Sequence, residues 1–235
     1  PVTIAGLGSM AGAQTGKMLP TGAPLDVFEY VSPKDEIFRE EASDTTQAKC
    51  RSVKYTCVDF ARALVIVRAD DLLSAMGDDK PRCDSFFDLS KADIETNRQL
   101  NRLLESIRCH VGRRIGIADV SKSDAPKIIV VGPDRLKRDA TLECRYWVNP
   151  GRCEMHPTIA MTAAQALGAA CLTKGSVVES LCKLERGAAQ TRFAFDFVHE
   201  KGKFGVVIRA NEQGLPSGSE YQTTVRPIAE GHAFI

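Results

Sequence analysis

Thr158-Ile159-Ala160-Met161-Thr162-Ala163-Ala164-Gln165-Ala166-Leu167-Gly168-Ala169-Ala170-Cys171 reads as one helix of small residues, introduced by Cys153-Glu154-Met155-His156-Pro157. Bulky side chains are nearly absent from it. A helix this slim fits a tight enclosure, such as the bore of a curved sheet, although small residues also serve ordinary packing. Its N-terminus offers N–H groups without intrahelical partners and the positive end of the helix dipole, and both favour an anion.

Outward from this helix the chain alternates between strand and helix patterns without a regular βαβ order. Upstream, Leu25–Tyr30, Ser52–Asp59, Ala63–Val67, Lys127–Val131 and Leu142–Val148 carry the alternation or short apolar runs of strands. Asp70–Met76 reads as a short helix stopped by Gly77, followed by a polar loop over Gly77–Leu89. Ser90 is a good N-cap with Asp93 near the helix start, and apolar spacing carries a helix from there to about Ile117. Downstream, Arg192–His199 and Phe204–Ile208 are strands joined by Glu200-Lys201-Gly202-Lys203. Gly214–Gly218 reads as a turn-rich loop, and Tyr221–Ile228 and His232–Ile235 as closing strands. This order predicts an α+β fold: a curved, barrel-like mixed sheet wrapped around a central helix.

Composition narrows the function class. The 235 residues are 43% hydrophobic and 26% charged with a net charge of +1, which gives no reason to expect a nucleic-acid surface. No stretch is long and apolar enough for a membrane span, and no secretory leader pattern opens the chain. The 8 cysteines include no C-x-x-C pair, so buried free thiols in a reducing cytoplasm are the expectation. Cys153 with His156 lacks a second pair of ligands, and no metal is expected.

The N-terminus offers a competing reading. Val2-Thr3-Ile4-Ala5-Gly6-Leu7-Gly8-Ser9-Met10-Ala11 has the apolar run and G-x-G-x-x-A of a dinucleotide fingerprint, with Asp26 and Glu29 about where a ribose-binding carboxylate would sit. An NAD(P)-dependent hydroxyacid dehydrogenase is therefore the alternative. Against it, the following helix would hold Gly12 and Gly16 in its interior, each costing ~1 kcal/mol relative to alanine. The βα alternation also stops after Tyr30.

Several segments match one family in order along the chain. Gly12-Ala13-Gln14-Thr15-Gly16-Lys17-Met18-Leu19-Pro20-Thr21-Gly22 resembles the G-x-x-T-G-K-L-L-P-T-G segment of the 2-methylaconitate isomerase family, which belongs to the diaminopimelate-epimerase-like superfamily. Val58-Asp59-Phe60-Ala61-Arg62-Ala63 and Val65–Leu72 resemble its V-D-x-x-N-P and F-V-x-A-x-D-L stretch. Leu104–Arg108, Pro126–Ile128, His156 with the slim helix, Gly175–Val178, Pro216–Gly218 and Val225–Gly231 also fit.

The resemblance implies two similar halves, each a curved sheet around a helix, with the active site between them. It implies movement of a double bond in unsaturated di- or tricarboxylates such as aconitate or methylaconitate, with no cofactor. The family's R-G-G-T-S-K-G opening and its cysteine-bearing C-G-N loop are not found in this sequence. On that basis residues 1–22 and 223–235 are expected to be the remnant of a first domain, and residues 23–222 a second domain. The catalytic acid and base are then expected in an upstream half outside this chain. A non-catalytic remnant of the fold is the other outcome. A small polycarboxylate is the expected ligand, with no nucleic acid and no membrane; the protein partner is a second copy or the absent half, and the setting is cytoplasmic.

Shifting a C=C bond beside a carboxylate takes a base for an allylic proton, an acid to return one elsewhere, and cations or N–H donors for the carboxylates. Arg62, at a strand crossing where the family more often has asparagine, is the first candidate for gripping a carboxylate. His156 and Thr158 stand at the start of the slim helix and Thr162 one turn in; Ser217 and Gly218 occupy a turn whose N–H groups suit an anion. Thr21 and Gly22 are candidates for the hinge between halves, and Cys153 is the one thiol near the helix start.

Overall fold

The computed structural model describes the backbone of residues 2–6, 17–18 and 26–30, and residues 51–223 apart from 78–79, 82–84, 183, 185–186 and 188–189. Gly8, Thr21, Gly22 and the closing strands expected beyond 223 lie outside the described residues.

The strands are β1 (Val2–Gly6), β2 (Lys17–Met18), β3 (Asp26–Tyr30), β4 (Arg51–Phe60), β5 (Arg62–Arg68), β6 (Lys127–Gly132), β7 (Leu142–Asn149), β8 (Glu154–His156), β9 (Arg192–His199), β10 (Gly202–Ala210) and β11 (Pro216–Thr223). The helices are α1 (Ala69–Met76), α2 (Lys91–Thr96), α3 (Arg98–Arg114), α4 (Met161–Leu172) and α5 (Glu179–Cys182). All these strands join one sheet in the order β1-β11-β10-β9-β7-β6-β5-β4-β2, with β3 on β4 and β8 on β7. β5 with β6 and β7 with β9 run parallel; the other neighbours are antiparallel.

The sheet curls around α4. That helix touches β4 and β5 on one arm and β10 and β11 on the other, although β6, β7 and β9 lie between them in the sheet. Period-two alternation sends Val58, Leu64, Ile66, Ile129 and Cys144 to the concave face, where they meet Ala163, Ala166, Leu167 and Ala170 of α4. Their neighbours Cys57, Val65, Val67, Ile128 and Trp147 go to the convex face and meet Leu100, Leu103, Leu104 and Ile107 of α3. With apolar cores on both faces, β5 and β6 have to be continuous apolar runs, as in buried parallel strands.

The slim composition of α4 follows from this enclosure. Residues 163–172 are buried all the way round, so most positions must be small and only Gln165, Leu167 and Leu172 carry larger side chains. At Gly168 even a methyl group would lie 2.8 Å from Ile208 Cγ1. The helix starts at Met161, three residues later than the sequence pattern indicates. Thr158 instead donates its backbone N–H to the His156 ring and closes a compact turn.

Other expectations need correction. The helix from Ser90 is two helices. Ser90 and Asp93 form a reciprocal capping box, and Asn97 then breaks the ladder and caps α3 by accepting from Leu100 N–H. The loop expected over 77–89 carries a 3-10 turn, Phe86–Asp88, with both phenylalanines buried. Phe87 is admitted by Gly132, where a Cβ would come within 2.5 Å of its ring. Pro216–Gly218 is strand rather than loop. The dinucleotide reading fails on topology: among the described residues β1 pairs with β11 alone, and antiparallel, whereas a dinucleotide fold carries its fingerprint after a strand inside a parallel sheet.

No helix among the described residues is long and apolar enough to cross a membrane.

Candidate functional site

β4 and β5 meet in a turn so tight that Phe60 pairs with Arg62 across a single residue, Ala61, in the left-handed region at φ 65°. The turn delivers Arg62 as the first residue of β5. By alternation with Leu64 and Ile66 its side chain lies on the concave face. Two strands away Tyr146 of β7 lies on the same face. The Arg62 guanidinium lies near enough to the Tyr146 phenol to favour its ionised form. Burial pushes the phenol up from its ordinary value, and the guanidinium only partly offsets this.

β8 adds His156, whose Cα partner is Tyr146. The two ring centroids are 5.9 Å apart at 59°. His156 Nδ1 accepts from Thr158 N–H at 3.1 Å and lies 3.0 Å from its hydroxyl. The accepted N–H fixes the neutral ring with its proton on Nε2. Thr158 thus acts on the site through the histidine. α4 begins three residues later; its N-cap, Ala160, supplies no side-chain acceptor for the first turn, in which Thr162 is half-buried.

A second ring of charge surrounds Arg62. Its Nη2 lies 3.1 Å from Asp124 Oδ2, and Lys127 Nζ lies 3.3 Å from the same oxygen. Lys127 also donates to the Val148 carbonyl at 2.8 Å. Partial burial pushes the Asp124 carboxyl up, but Lys127 and Arg62 outweigh it and hold the group below its ordinary value. Two cations, one carboxylate and a helix N-terminus leave this end of the bore electropositive.

Arg62 and His156 thus both neighbour Tyr146, Thr158 bonds the His156 ring, and Thr162 lies in the first turn of the helix that follows. Ser217 and Gly218 do not join them. β11 runs in the same direction as β7, and it starts at the end where β7 starts, opposite Tyr146. The Ser217 hydroxyl donates to the Arg209 carbonyl at 3.2 Å. Gly218 leaves room for the Arg209 guanidinium, whose Nη2 would lie 2.8 Å from a Cβ there. These residues serve the β10–β11 ladder, not an open anion-binding turn. Cys153 is half-buried and in the left-handed region at φ 56°, closing the 3-10 turn Pro150–Arg152. Among the described residues no group of three His, Cys, Asp or Glu side chains is placed to hold a metal ion.

Sequence reasoning passed over Tyr146, Lys127 and Asp124. Tyr146 alternates with Cys144 and looks like any aromatic on a core strand. Lys127 opens an apolar run and Asp124 sits in a polar loop; only the three-dimensional convergence on Arg62 marks them.

Comparison with known proteins agrees with this architecture. A crystal structure of methylitaconate-delta-isomerase superposes with a TM-score of 0.63 at 22% identity, covering 92% of this chain and 51% of that one. The 4-oxalomesaconate tautomerase of Pseudomonas putida is 29% identical over 222 residues, 94% of this chain and 50% of that protein. The putative isomerase YbhH of Escherichia coli K12 is 27% identical over 77% of this chain and 41% of its own length. The (4E)-oxalomesaconate Delta-isomerase of Novosphingobium sp. strain KA1 is 24% identical over 96% of this chain and 52% of its own length. The chain spans about half the length of the curated relatives it matches. The PrpF protein family model matches residues 2–235, and with the curled sheet, the enclosed slim helix and the ordered motifs this settles the affiliation: the chain belongs to the PrpF protein family and has the diaminopimelate-epimerase-like fold.

Proposed function

We propose that this chain is the carboxylate-binding half of a cofactor-independent isomerase that shifts the double bond, or the cis/trans geometry, of small unsaturated di- or tricarboxylates such as aconitate or methylaconitate. The observation that carries the reading is the convergence of Arg62, Tyr146 and His156 beside the first turn of α4. Membership of the PrpF family and the names of the relatives support the isomerase class.

The chemistry follows from the groups present. A carboxylate seated against Arg62 exchanges places with Asp124, and the Tyr146 hydroxyl and the helix N–H groups complete its hydrogen bonds. Removing an allylic proton spreads negative charge from the carbon chain onto that carboxylate. The cationic end of the bore holds the added charge, which lowers the barrier. The proton returns at the far carbon of the allyl unit, so electrons and atoms balance without a redox partner. In this scheme the base and the acid belong to the part of the enzyme that corresponds to the other half of the longer relatives.

The test uses the complete polypeptide that contains this chain. Aconitate, methylaconitate and oxalomesaconate isomers are supplied in D2O while ultraviolet absorbance and deuterium incorporation are followed. Turnover with exchange at an allylic carbon is expected. A complete protein that binds these acids but neither turns them over nor exchanges a proton is a binding module, and the isomerase reading fails.

A further inference from the structure

We propose that His199 is a second substrate-binding imidazole, paired with His156 across a fork in the sheet and suited to a second carboxylate of the substrate; the inference rests on the site reading above. The fork lies along one edge of β7. Leu142 and Glu143 pair with Phe197 and Val198 of β9, whereas Tyr146 and Trp147 pair with His156 and Met155 of β8. Cys144 and Arg145 lie between the two partners. His199 follows Val198 on one side of the fork and His156 stands on the other.

The two imidazoles are held in the same way. His199 Nδ1 accepts from Lys201 N–H at 3.1 Å, as His156 Nδ1 accepts from Thr158 N–H at 3.1 Å. Each neutral ring therefore carries its proton on Nε2, and neither Nε2 has a hydrogen-bond partner among the described residues. Both rings are half-buried, within reach of a ligand. Arg145, buried behind the fork, has an Nε without a partner; its Nη atoms donate to the Cys144 and Phe87 carbonyls, and its nearest carboxylate oxygen, on Glu143, is 3.8 Å away.

Burial, then Arg145 and His156, hold the His199 imidazole below its ordinary value, and Glu200 also acts on Arg145. His199 is then a neutral N–H donor at pH 7 that gains basicity when an anion arrives. With Arg62 and His156 at one carboxylate, a further donor at His199 selects acids that carry a second carboxylate elsewhere on the carbon chain.

The experiment follows the histidine ring signals by NMR in the complete polypeptide while tricarballylate, a saturated tricarboxylate, is added. His156 and His199 are expected to shift with one common saturation curve, with the His199 pKa rising. His199→Ala should weaken tricarballylate about tenfold and leave a monocarboxylate such as crotonate unchanged. His199→Gln, which keeps an N–H donor near the Nε2 position, should restore most of the affinity. If His156 shifts and His199 does not, or if His199→Ala binds tricarballylate normally, the second imidazole is wrong and the Arg62 site stands. If neither ring responds, the site reading itself fails, and this inference with it.

Discussion

The Arg62 guanidinium on β5 acts electrostatically on the Tyr146 phenol on β7, with β6 between the two strands. Through β6 Tyr146 is level with Ile66, because Ile66 pairs with Ile129 and Ile129 with Tyr146, so the two long side chains approach along the strands as well as across about 10 Å of sheet. On a flat sheet side chains stand nearly parallel; on the concave face of this one they converge. The curvature that encloses α4 is thus also what brings a cation and a phenol together at its N-terminus.

Arg62→Ala is expected to raise KM about 10- to 100-fold with a much smaller change in kcat, because a charge-assisted hydrogen bond to a carboxylate contributes about 1.5–3 kcal/mol. Tyr146→Phe should raise KM less, about fivefold, for one neutral hydrogen bond. Steady-state kinetics on the complete enzyme checks both. An unchanged KM for Arg62→Ala removes Arg62 from the site.

Asp124 competes with the substrate in this arrangement. Its pair with Arg62 is exposed, 66% on the aspartate side, and such pairs contribute little. Asp124→Asn should therefore free the guanidinium and lower KM by about two- to fivefold. A rise in KM would mean that Asp124 orients Arg62 rather than occupying it.

The slim helix was legible in the sequence because enclosure leaves a compositional mark: alanine and glycine predominate from Ala163 to Ala170, with Gln165 and Leu167 as the larger members. Strands β4 to β7 were legible because their alternation or apolar runs are long. Asn97 was not, since an asparagine within an apolar period looks like a surface residue until its side chain is seen capping α3. The buried pair Phe86 and Phe87 was hidden in a polar segment, because the space that receives Phe87 is made by Gly132, remote in sequence. Arg62 and His156 stood out by charge and by position at element ends. Tyr146 and His199 did not, because each sits on an ordinary strand pattern and acquires its partners from other strands.

Gly168 tests the enclosure directly. A Cβ there meets Ile208 Cγ1 at 2.8 Å and Cδ1 at 3.0 Å, with the Phe195 ring at 3.4 Å. Gly168→Val should cost about 2–3 kcal/mol by overpacking, read as a lower midpoint of urea unfolding. A neutral effect would show that the bore has slack the packing does not indicate.

The cysteines should separate by burial. Burial, with Asp59 nearby, pushes Cys57 up to about 12, and burial does the same to Cys144 against the opposing pull of Arg145; the two are 4% and 0% exposed. Iodoacetamide at pH 8 should leave both unmodified in the folded protein and label both in urea, with mass spectrometry as the readout. Native labelling of Cys144 within minutes would mean that β7 opens locally.

The last prediction concerns acid stability. Arg108, with only 4% of its side chain exposed, holds Glu105 through two hydrogen bonds of 2.7 Å. It also donates to the carbonyls of Val120, Ser123 and Ala125, so the pair fastens α3 to the loop that carries Asp124. Partial burial pushes the Glu105 carboxyl up, but hydrogen bonds from Arg108 and Cys109 overcome it, and the net position lies below its ordinary value of 4.5. A carboxyl depressed on folding binds more protons when unfolded. Its stabilisation is therefore complete above about pH 4.5 and is lost as pH falls through the lower folded value. Glu105→Gln should cost about 1–3 kcal/mol at pH 7, since it leaves the buried guanidinium without its charge partner. Below the folded value the variant and the parent should converge in stability. Urea unfolding from pH 3 to pH 7 checks this, and a gap that stays constant across the range would show that the carboxylate's charge plays no part in fastening the loop.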